Sequence, residues 1–207
     1  MVVILDNGHG YNTSGKGSPY ALHSVKPEVY IKEYKVAREL VKDIASKLKL
    51  RGINTHILVP EEYDVSLTER CNRANRIYAR DKKSFVVSVH LNAAGSGRQW
   101  MNATGWEIWT SVGITESDKI ADYFVKEAVK TFKGQRIRRK SSTPLNQDFE
   151  KNFTILAKTS CPAVLTENFF QDCLNDAKYI LSKEGHDAIV NCHVNAIINY
   201  LKDKKWI

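Results

Sequence analysis

Three short apolar runs, rich in β-branched residues, each lead to a side chain that can bind a metal ion or transfer a proton. The runs and the residues that follow them are 2–5 with His9, 85–89 with His90, and 163–166 with Glu167. Such runs, bounded by turn residues, are typical of strands buried on both faces. In open α/β sheets, ligands bind beyond the carboxyl ends of these strands. The sequence therefore predicts that the three polar residues meet at one edge of one sheet, and a metallohydrolase is the leading interpretation.

The segments between the apolar runs show the periodicity of amphipathic helices. The predicted helices cover about 29–50 with Gly52 as the end signal, a segment opened by a capping box at 66–69, about 117–132, and a last segment around 188–200. The further predicted strands are 53–59, 105–111 and a short candidate at 153–156. This alternation predicts an α/β sandwich with a largely parallel or mixed sheet, in one domain that spans residues 1–207.

Two polar loops follow the histidines. The first runs from Gly10 to about Pro27, and the second runs from Leu91 to Thr104. Clusters of Gly, Ser and Asn are typical of loops. Because the first loop directly follows His9, it is predicted to line a site. Trp100 in the second loop is predicted to be a surface contact.

The chain has a formal net charge of +8, which favours an anionic partner. Nucleic acid, a membrane surface and an acidic wall polymer all meet that condition, although no nucleic-acid-binding motif is recognised. The densest basic cluster is interpreted as a solvated loop in preference to a binding patch; it comprises Arg136, Arg138, Arg139 and Lys140. No apolar run reaches the roughly 18–20 residues that span a bilayer, and no export signal is recognised.

The cysteines are predicted to be reduced core residues, because they form no Cys-x-x-Cys pair and lie in apolar or helical contexts. They are Cys71, Cys161, Cys173 and Cys192. A structural disulfide remains an alternative, since the sequence cannot pair them.

A third metal ligand is suggested by a charged residue on the apolar face of the first predicted helix. Counting back one turn from Ala37 and two turns from Leu40 places Glu33 on the buried stripe, whereas Glu39 falls on the polar face. A carboxylate that points towards a core is costly unless it is paired or bound to a metal. The alternative is that Glu33 lies at a frayed helix start and pairs with a nearby Lys or Arg. Glu28 is a weaker rival.

His9 and His90 differ from the other histidines in their context. Each follows an apolar strand and has small neighbours, which let the backbone approach a ligand closely. Two histidines and one glutamate leave an open position on tetrahedral zinc, as in catalytic sites. The remaining histidines are predicted to be satisfied polar residues: His23, His56, His186 and His193.

Glu167 interrupts an apolar segment, where an unused charge would be costly. A metal ion lowers the pKa of water from about 15.7 towards about 7, and a neighbouring carboxylate can accept the proton and pass it to a leaving nitrogen. Glu167 is therefore predicted to be the proton-transfer residue. The alternative is a salt-bridged residue at the end of a strand.

Five features occur in an order that matches a known family. They are ILDNGHG at 4–10, Glu33 at a helix start, the segment 67–75 with Arg70, SVHLNA at 88–93, and PAVLTENFF at 162–170. Together they resemble the zinc-dependent N-acetylmuramoyl-L-alanine amidases of the amidase-3 type, over nearly the whole chain. The resemblance implies that His9, Glu33 and His90 bind one zinc ion. It also implies that Glu167 is the catalytic residue.

The resemblance carries further expectations about fold and reaction. The fold would be a single α/β domain with a twisted, mostly parallel sheet and helices on both faces. The reaction would be hydrolysis of the amide between N-acetylmuramic acid and L-alanine of the peptidoglycan stem peptide. Arg70, Asn92 and Trp100 are the predicted substrate contacts. The protein is expected to be a monomer that acts on the cell wall, without a membrane span, a nucleic-acid partner or a separate wall-binding domain.

Two departures from the family pattern stand out. Asn7 replaces a common proline, and residues 168–172 replace the usual glycine-containing sequence after Glu167, which is expected to affect the substrate groove. The loop at 15–19 resembles those of phage and prophage lysins. An endolysin that stays in the cytoplasm until its release is thus one interpretation, and a bacterial wall-remodelling enzyme is the other.

Several rival functions remain open at this point. A zinc-dependent stem-peptide peptidase or sugar deacetylase could use the same two histidines and carboxylate. A non-catalytic wall-binding module is disfavoured by the complete set of candidate residues. A nucleic-acid-binding protein would account for the positive charge, but it would require no zinc.

Overall fold

The computed structural model describes residues 1–19 and 29–207. The elements in chain order are β1 (Val3–Asn7), α1 (Glu33–Lys49), β2 (Thr55–Ile57), α2 (Leu67–Arg80), β3 (Phe85–Asn92), β4 (Glu107–Thr110), α3 (Glu116–Thr131), β5 (Phe149–Glu150), α4 (Thr154–Ala157), β6 (Ala163–Phe170), α5 (Leu174–Leu181) and α6 (Lys183–Asp203). His23, Glu28 and the part of the predicted Gly10–Pro27 loop beyond residue 19 lie outside the described residues. None of the helices described is both long and apolar enough for a membrane span.

The six strands form one mixed sheet in the order β2-β1-β3-β6-β4-β5. Only the β4–β6 pairing is antiparallel among these described strands. The carboxyl ends of β1, β3 and β6 therefore lie at the same edge, as the apolar runs predicted. The expectation of an α/β fold with a mostly parallel, mixed sheet is confirmed.

Alternate residues of the central strands enter two separate cores. Val3 and Leu5 face a large core with α1, α3 and α6, whereas Ile4 faces a smaller core with α2 and α4. This period of two is the geometry of a strand that is covered on both faces. The four cysteines are buried and free, in agreement with their prediction as reduced core residues.

The first two helices differ in whether a side chain caps their first turn. The hydroxyl of Ser66 accepts a hydrogen bond from the Glu69 amide at 3.3 Å and so caps α2. By contrast, α1 starts at Glu33 and not near Val29, and Lys32 at its N-cap provides no side-chain cap. Glu33 therefore occupies the first turn of α1, where its backbone is held by the adjoining loop.

The strand predicted at 153–156 is wrong, because this segment contains helix α4. A four-residue apolar run has too little length to distinguish a strand from a buried helical turn. Ile155 and Leu156 are buried in the smaller core, and the Phe153 carbonyl accepts hydrogen bonds from Leu156 and Ala157. The short elements β5 and α5 had no predicted counterpart.

Candidate metal centre

Three predicted ligands meet at the carboxyl edge of the sheet. Oε1 of Glu33 lies 3.4 Å from Nε2 of His9 and 3.2 Å from Nδ1 of His90. The three donor atoms all lie within 4.8 Å of one another, so this group could hold a metal ion. The described residues therefore bring together side chains that are up to 81 positions apart, from His9 to His90.

The backbone around His9 is shaped by its two glycine neighbours. His9 has a φ of 60°, in the left-handed region. A Cβ on Gly8 would lie 2.4 Å from the His90 ring, and a Cβ on Gly10 would lie 2.0 Å from the Asp64 amide nitrogen. The small neighbours seen in the sequence are thus needed for the close approach of His9 and His90.

A buried ion pair supports the backbone turn that contains His9. Arg70 and Asp6 are each 2% exposed, and their charged groups lie 2.6 Å apart. Arg70 also donates to the carbonyls of Asn7 and His9, while Ser88 donates to Asp6 at 2.5 Å. The hydrogen-bond donors of the Arg70 guanidinium are therefore used by groups within the protein. The geometry therefore favours a positioning role for Arg70 over the predicted substrate contact.

Glu33 is 1% exposed, yet its surroundings favour the charged carboxylate. Burial would raise its pKa, but hydrogen bonds with His9 and His90 outweigh burial and hold the pKa well below its usual range. Burial would likewise lower the pKa of His90, but the hydrogen bond and charge of Glu33 raise it overall. The buried negative charge of Glu33 would therefore stabilise a positive charge placed between the His9 and His90 rings.

Two neutral donors also bind the Glu33 carboxylate. The Leu91 amide donates to Oε1 at 3.1 Å, and Nε2 of Gln171 donates to Oε2 at 2.9 Å. The alternative that Glu33 merely pairs with a nearby Lys or Arg finds no support in these contacts.

Glu167 lies next to His90 across the β3–β6 pairing. Its Oε2 is buried and has no hydrogen-bond partner among the described residues. Burial raises the pKa of Glu167 to about 8. A carboxyl group with such a pKa is suited to accepting and returning a proton near neutral pH.

A second carboxylate, Glu107, is buried close to Glu167. Glu107 is held by an ion pair with Arg138 at 2.6 Å and by donors from Asn92 at 2.8 Å and Trp109 at 3.0 Å. Arg138 thus belongs to the site's surroundings. Within the basic cluster, Arg139 and Lys140 are exposed, as the interpretation of a solvated loop requires.

A cavity of about 450 Å³ opens beside the three candidate ligands. Its wall includes His9, His90, Glu167, Arg70, Lys16 and Phe153. The other predicted substrate contacts do not belong to the wall among the described residues. Asn92 instead binds Glu107, and Trp100 packs against the large core.

Several residues of the site were missed by sequence reasoning: Asp6, Lys16, Glu107, Arg138 and Gln171. Asp6 had a usable signal, because it is a charge directly after an apolar run. Lys16 lies in the loop that was predicted to line a site, although it was not singled out there. Glu107, Arg138 and Gln171 depend on strand pairing, which no local pattern of the sequence indicates.

Comparison with known proteins agrees with this geometry. The model of the Amidase_3 family, described as N-acetylmuramoyl-L-alanine amidase, matches residues 3–199. The N-acetylmuramoyl-L-alanine amidase CwlM of Bacillus licheniformis is 26% identical over 197 residues, which are 94% of this chain and 66% of that protein. The endolysin of Bacillus phage SPP1 is 27% identical over 206 residues, which are 99% of this chain and 67% of the endolysin. The chain thus spans about two thirds of the length of these relatives.

A solved structure shows the same architecture over nearly its entire length. The N-acetylmuramoyl-L-alanine amidase from Clostridium difficile 630 superposes with a TM-score of 0.80 at 26% identity. The match covers 98% of this chain and 97% of the amidase. The extent of the family match and of this superposition therefore point to one family.

Proposed function

This chain belongs to the Amidase_3 family of N-acetylmuramoyl-L-alanine amidases, and from that premise we propose that it is a zinc-dependent amidase of peptidoglycan. It would cleave the amide between the lactyl group of N-acetylmuramic acid and L-alanine of the stem peptide. The observation that carries the proposal is the meeting of His9, Glu33 and His90 beside a cavity that Glu167 also lines. Residues 1–207 would act as one catalytic domain.

The donor set fits zinc in its chemistry and its spacing. Zinc bonds of about 2.0–2.1 Å place two ligands of a tetrahedron about 3.3 Å apart. The Glu33 oxygen lies 3.4 Å and 3.2 Å from the nitrogens of His9 and His90. The buried carboxylate also supplies the negative charge that a divalent cation requires. Three protein ligands leave a fourth position for water and substrate, as in catalytic zinc sites.

Bound zinc would polarise the scissile carbonyl and make water a better nucleophile at neutral pH. Glu167 would accept a proton from the attacking water and then deliver it to the nitrogen of L-alanine. The carbon–nitrogen bond breaks, and a lactyl carboxylate and a free amino group are formed. This role for Glu167 is supported by its place in the cavity wall and by its buried Oε2, which no described residue binds.

The partner in this proposal is peptidoglycan, and the place of action is the cell wall. The similarity to a phage endolysin supports an enzyme that reaches the wall during lysis. The similarity to a Bacillus licheniformis amidase supports a wall enzyme of bacterial type.

Mass spectrometry of digested peptidoglycan tests the proposal. The zinc-loaded protein should release stem peptides that begin with L-alanine and leave intact glycan strands, and a chelated sample should release none. Peptides cut elsewhere would indicate a stem-peptide peptidase, and free acetate would indicate a sugar deacetylase. The absence of any zinc-dependent product would contradict an enzymatic role.

A further inference from the structure

Strand β6 contains an irregularity directly after Glu167. His90 pairs with Glu167 and Asn92 pairs with Phe170, so β6 uses three steps where β3 uses two. The extra residue makes a β-bulge, a device that re-aims side chains next to functional sites.

Phe169 takes the strained position in the bulge. Its φ is 69°, in the left-handed region that favours glycine. The ring is fully buried and packs edge-on against Phe132 and Tyr179, with centroid distances of 5.1 Å in both pairs. Apolar packing therefore offsets the backbone cost and keeps the bulge in place.

The bulge places Gln171 next to Glu33, behind the candidate metal centre. Gln171 is fully buried, and its backbone amide donates to the Asn92 carbonyl at 2.8 Å. Its side-chain nitrogen donates to Oε2 of Glu33 at 2.9 Å. This bond leaves Oε1 of Glu33 as the oxygen nearest to both His9 and His90.

Packing alone does not account for an amide at this position. The oxygen of the Gln171 side chain is buried and accepts no hydrogen bond from the described residues. A buried polar atom without a partner costs free energy, and an apolar side chain of the same length would avoid that cost. The bond to Glu33 is the interaction that the amide gains.

We propose that Gln171 is a positioning residue for the metal site, which it serves by holding Oε2 of Glu33 so that Oε1 faces the two histidines. The inference rests on the proposed function, in which Glu33 binds zinc. A neutral amide suits this task, because it orients the carboxylate without adding a charge that competes with the cation. Groups of this kind behind a metal ligand commonly change metal affinity when they are replaced.

Zinc affinity measured by competition with a chromogenic chelator tests this proposal. Gln171→Met should bind zinc roughly 10- to 100-fold more weakly than wild type, the range seen when such supporting groups are removed. Gln171→Glu, which keeps the shape but opposes Glu33 with a like charge, should also bind more weakly. The absorption spectrum of the cobalt-substituted protein should change in both variants, because Glu33 is no longer held in one orientation.

Thr110→Val provides the matched control, since it removes a buried side-chain hydrogen bond, to Asp148 at 2.6 Å, that involves none of the three ligands. It should lower the free energy of unfolding and leave zinc affinity unchanged. Wild-type affinity in Gln171→Met would overturn the positioning role alone. A wild-type protein without zinc affinity would overturn the proposed function and this inference together.

A second observation concerns the positive charge in the cavity wall. Lys16 lines the cavity with Glu167 and the histidines. Its loop is fixed to the start of α1, because the Glu33 amide donates to the Lys16 carbonyl at 3.2 Å and the Ser18 amide donates to the Ile31 carbonyl at 3.0 Å. Backbone bonds thus set the place of Lys16 beside the metal centre.

The two Lys and Arg residues known to line this cavity differ in their partners. Arg70 forms ion pairs with Asp6 and Asp64 and donates hydrogen bonds to backbone carbonyls. The Lys16 ammonium has no ion pair or side-chain hydrogen bond within the described ranges, and its charge acts on Glu167. A cation in a groove without a protein partner is suited to an anionic group of the ligand.

We infer that Lys16 binds a substrate carboxylate, so that the enzyme prefers stem peptides in which the residue after L-alanine has a free α-carboxylate over those in which this group is amidated. This inference also rests on the proposed amidase function. A charge pair of this kind supports a preference of up to roughly fivefold.

The test compares kcat/KM for N-acetylmuramoyl-L-alanyl-γ-D-glutamyl-L-lysine and N-acetylmuramoyl-L-alanyl-D-isoglutaminyl-L-lysine, which differ only in whether the α-carboxyl of the second residue is a free acid or an amide. Wild type and Lys16→Arg should prefer the acid, Lys16→Met should lose the preference, and Lys126→Met, a change on the exposed face of α3, should keep it. Equal rates of wild type on both compounds would overturn the inference while leaving the amidase function intact. Cleavage of neither compound, with peptidoglycan also uncut, would overturn the proposed function and this inference together.

Discussion

Glu107 and Glu167 lie directly opposite each other on the antiparallel strands β4 and β6. Residues paired in this way point to the same face of a sheet, so their charges repel. The charge of Glu107 accordingly contributes to the raised pKa of Glu167, although burial is the larger cause. Arg138 compensates Glu107 through its ion pair at 2.6 Å. The structure around strand β6 therefore depends on a basic residue that the sequence analysis assigned to a solvated loop.

Replacement of Arg138 by Met should expose this dependence. Glu107 is 3% exposed and would lose its charged partner, so we expect the free energy of unfolding to fall by about 2 kcal/mol. Urea unfolding followed by circular dichroism measures the change. The double variant Arg138→Met/Glu107→Gln should recover part of the loss, because the unpaired charge is gone. A double variant no more stable than Arg138→Met would contradict this explanation.

Glu167→Gln should separate metal binding from catalysis. The amide keeps the size of the side chain but cannot accept the proton of the attacking water, so turnover should fall by roughly 100- to 10,000-fold. Zinc content, measured by atomic absorption, should stay at the wild-type level. Retained turnover would remove Glu167 from its catalytic role, whereas lost zinc would make it part of the metal site.

Gly8→Ala should damage the metal centre through a steric clash. The added Cβ would lie 2.4 Å from the His90 ring, which must then move. We expect a loss of zinc affinity of at least roughly tenfold, comparable to that caused by other groups that orient a ligand. Gly52→Ala is the control: Gly52 has a φ of 73°, which favours glycine, but an added Cβ there meets no atom within 4 Å. It should cost stability alone.

The sequence was sufficient to predict that His9, His90 and Glu167 share one edge of the sheet. Each follows an apolar run, and parallel strands bring their carboxyl ends together. Glu33 could be predicted to face the core from its helical spacing, but its partners could not. Contacts such as Gln171 with Glu33 depend on a bulge between distant strands, and a one-residue change of register is not visible in a local pattern.

Short elements were also difficult to predict from the sequence. The segment at 153–156 carries the apolar side chains of a strand but forms the helical turn α4 over Thr154–Ala157. Burial of Ile155 and Leu156 against the smaller core satisfies either conformation. Tertiary packing therefore decides the conformation, and four residues contain too little periodicity to reveal it.

His193 offers a pH-dependent test of the packing behind the catalytic strand. It is fully buried in α6, and its Nδ1 donates to the Ile189 carbonyl at 2.8 Å. Its Nε2 lies 2.9 Å from the hydroxyl of Thr166, the residue before Glu167. Burial lowers the pKa of His193 to about 4. The ring is therefore neutral in the folded protein under conditions where an exposed histidine is already charged.

Stability should consequently fall in acid between pH 6.5 and pH 4. Above pH 6.5 the imidazole is neutral in both states and makes no pH-dependent contribution. Below it the unfolded chain binds a proton that the folded protein cannot bind until about pH 4, so the free energy of unfolding should fall by up to about 3 kcal/mol. His193→Gln should flatten the urea-unfolding profile over this range. An unchanged slope in His193→Gln would show that His193 does not govern the acid transition.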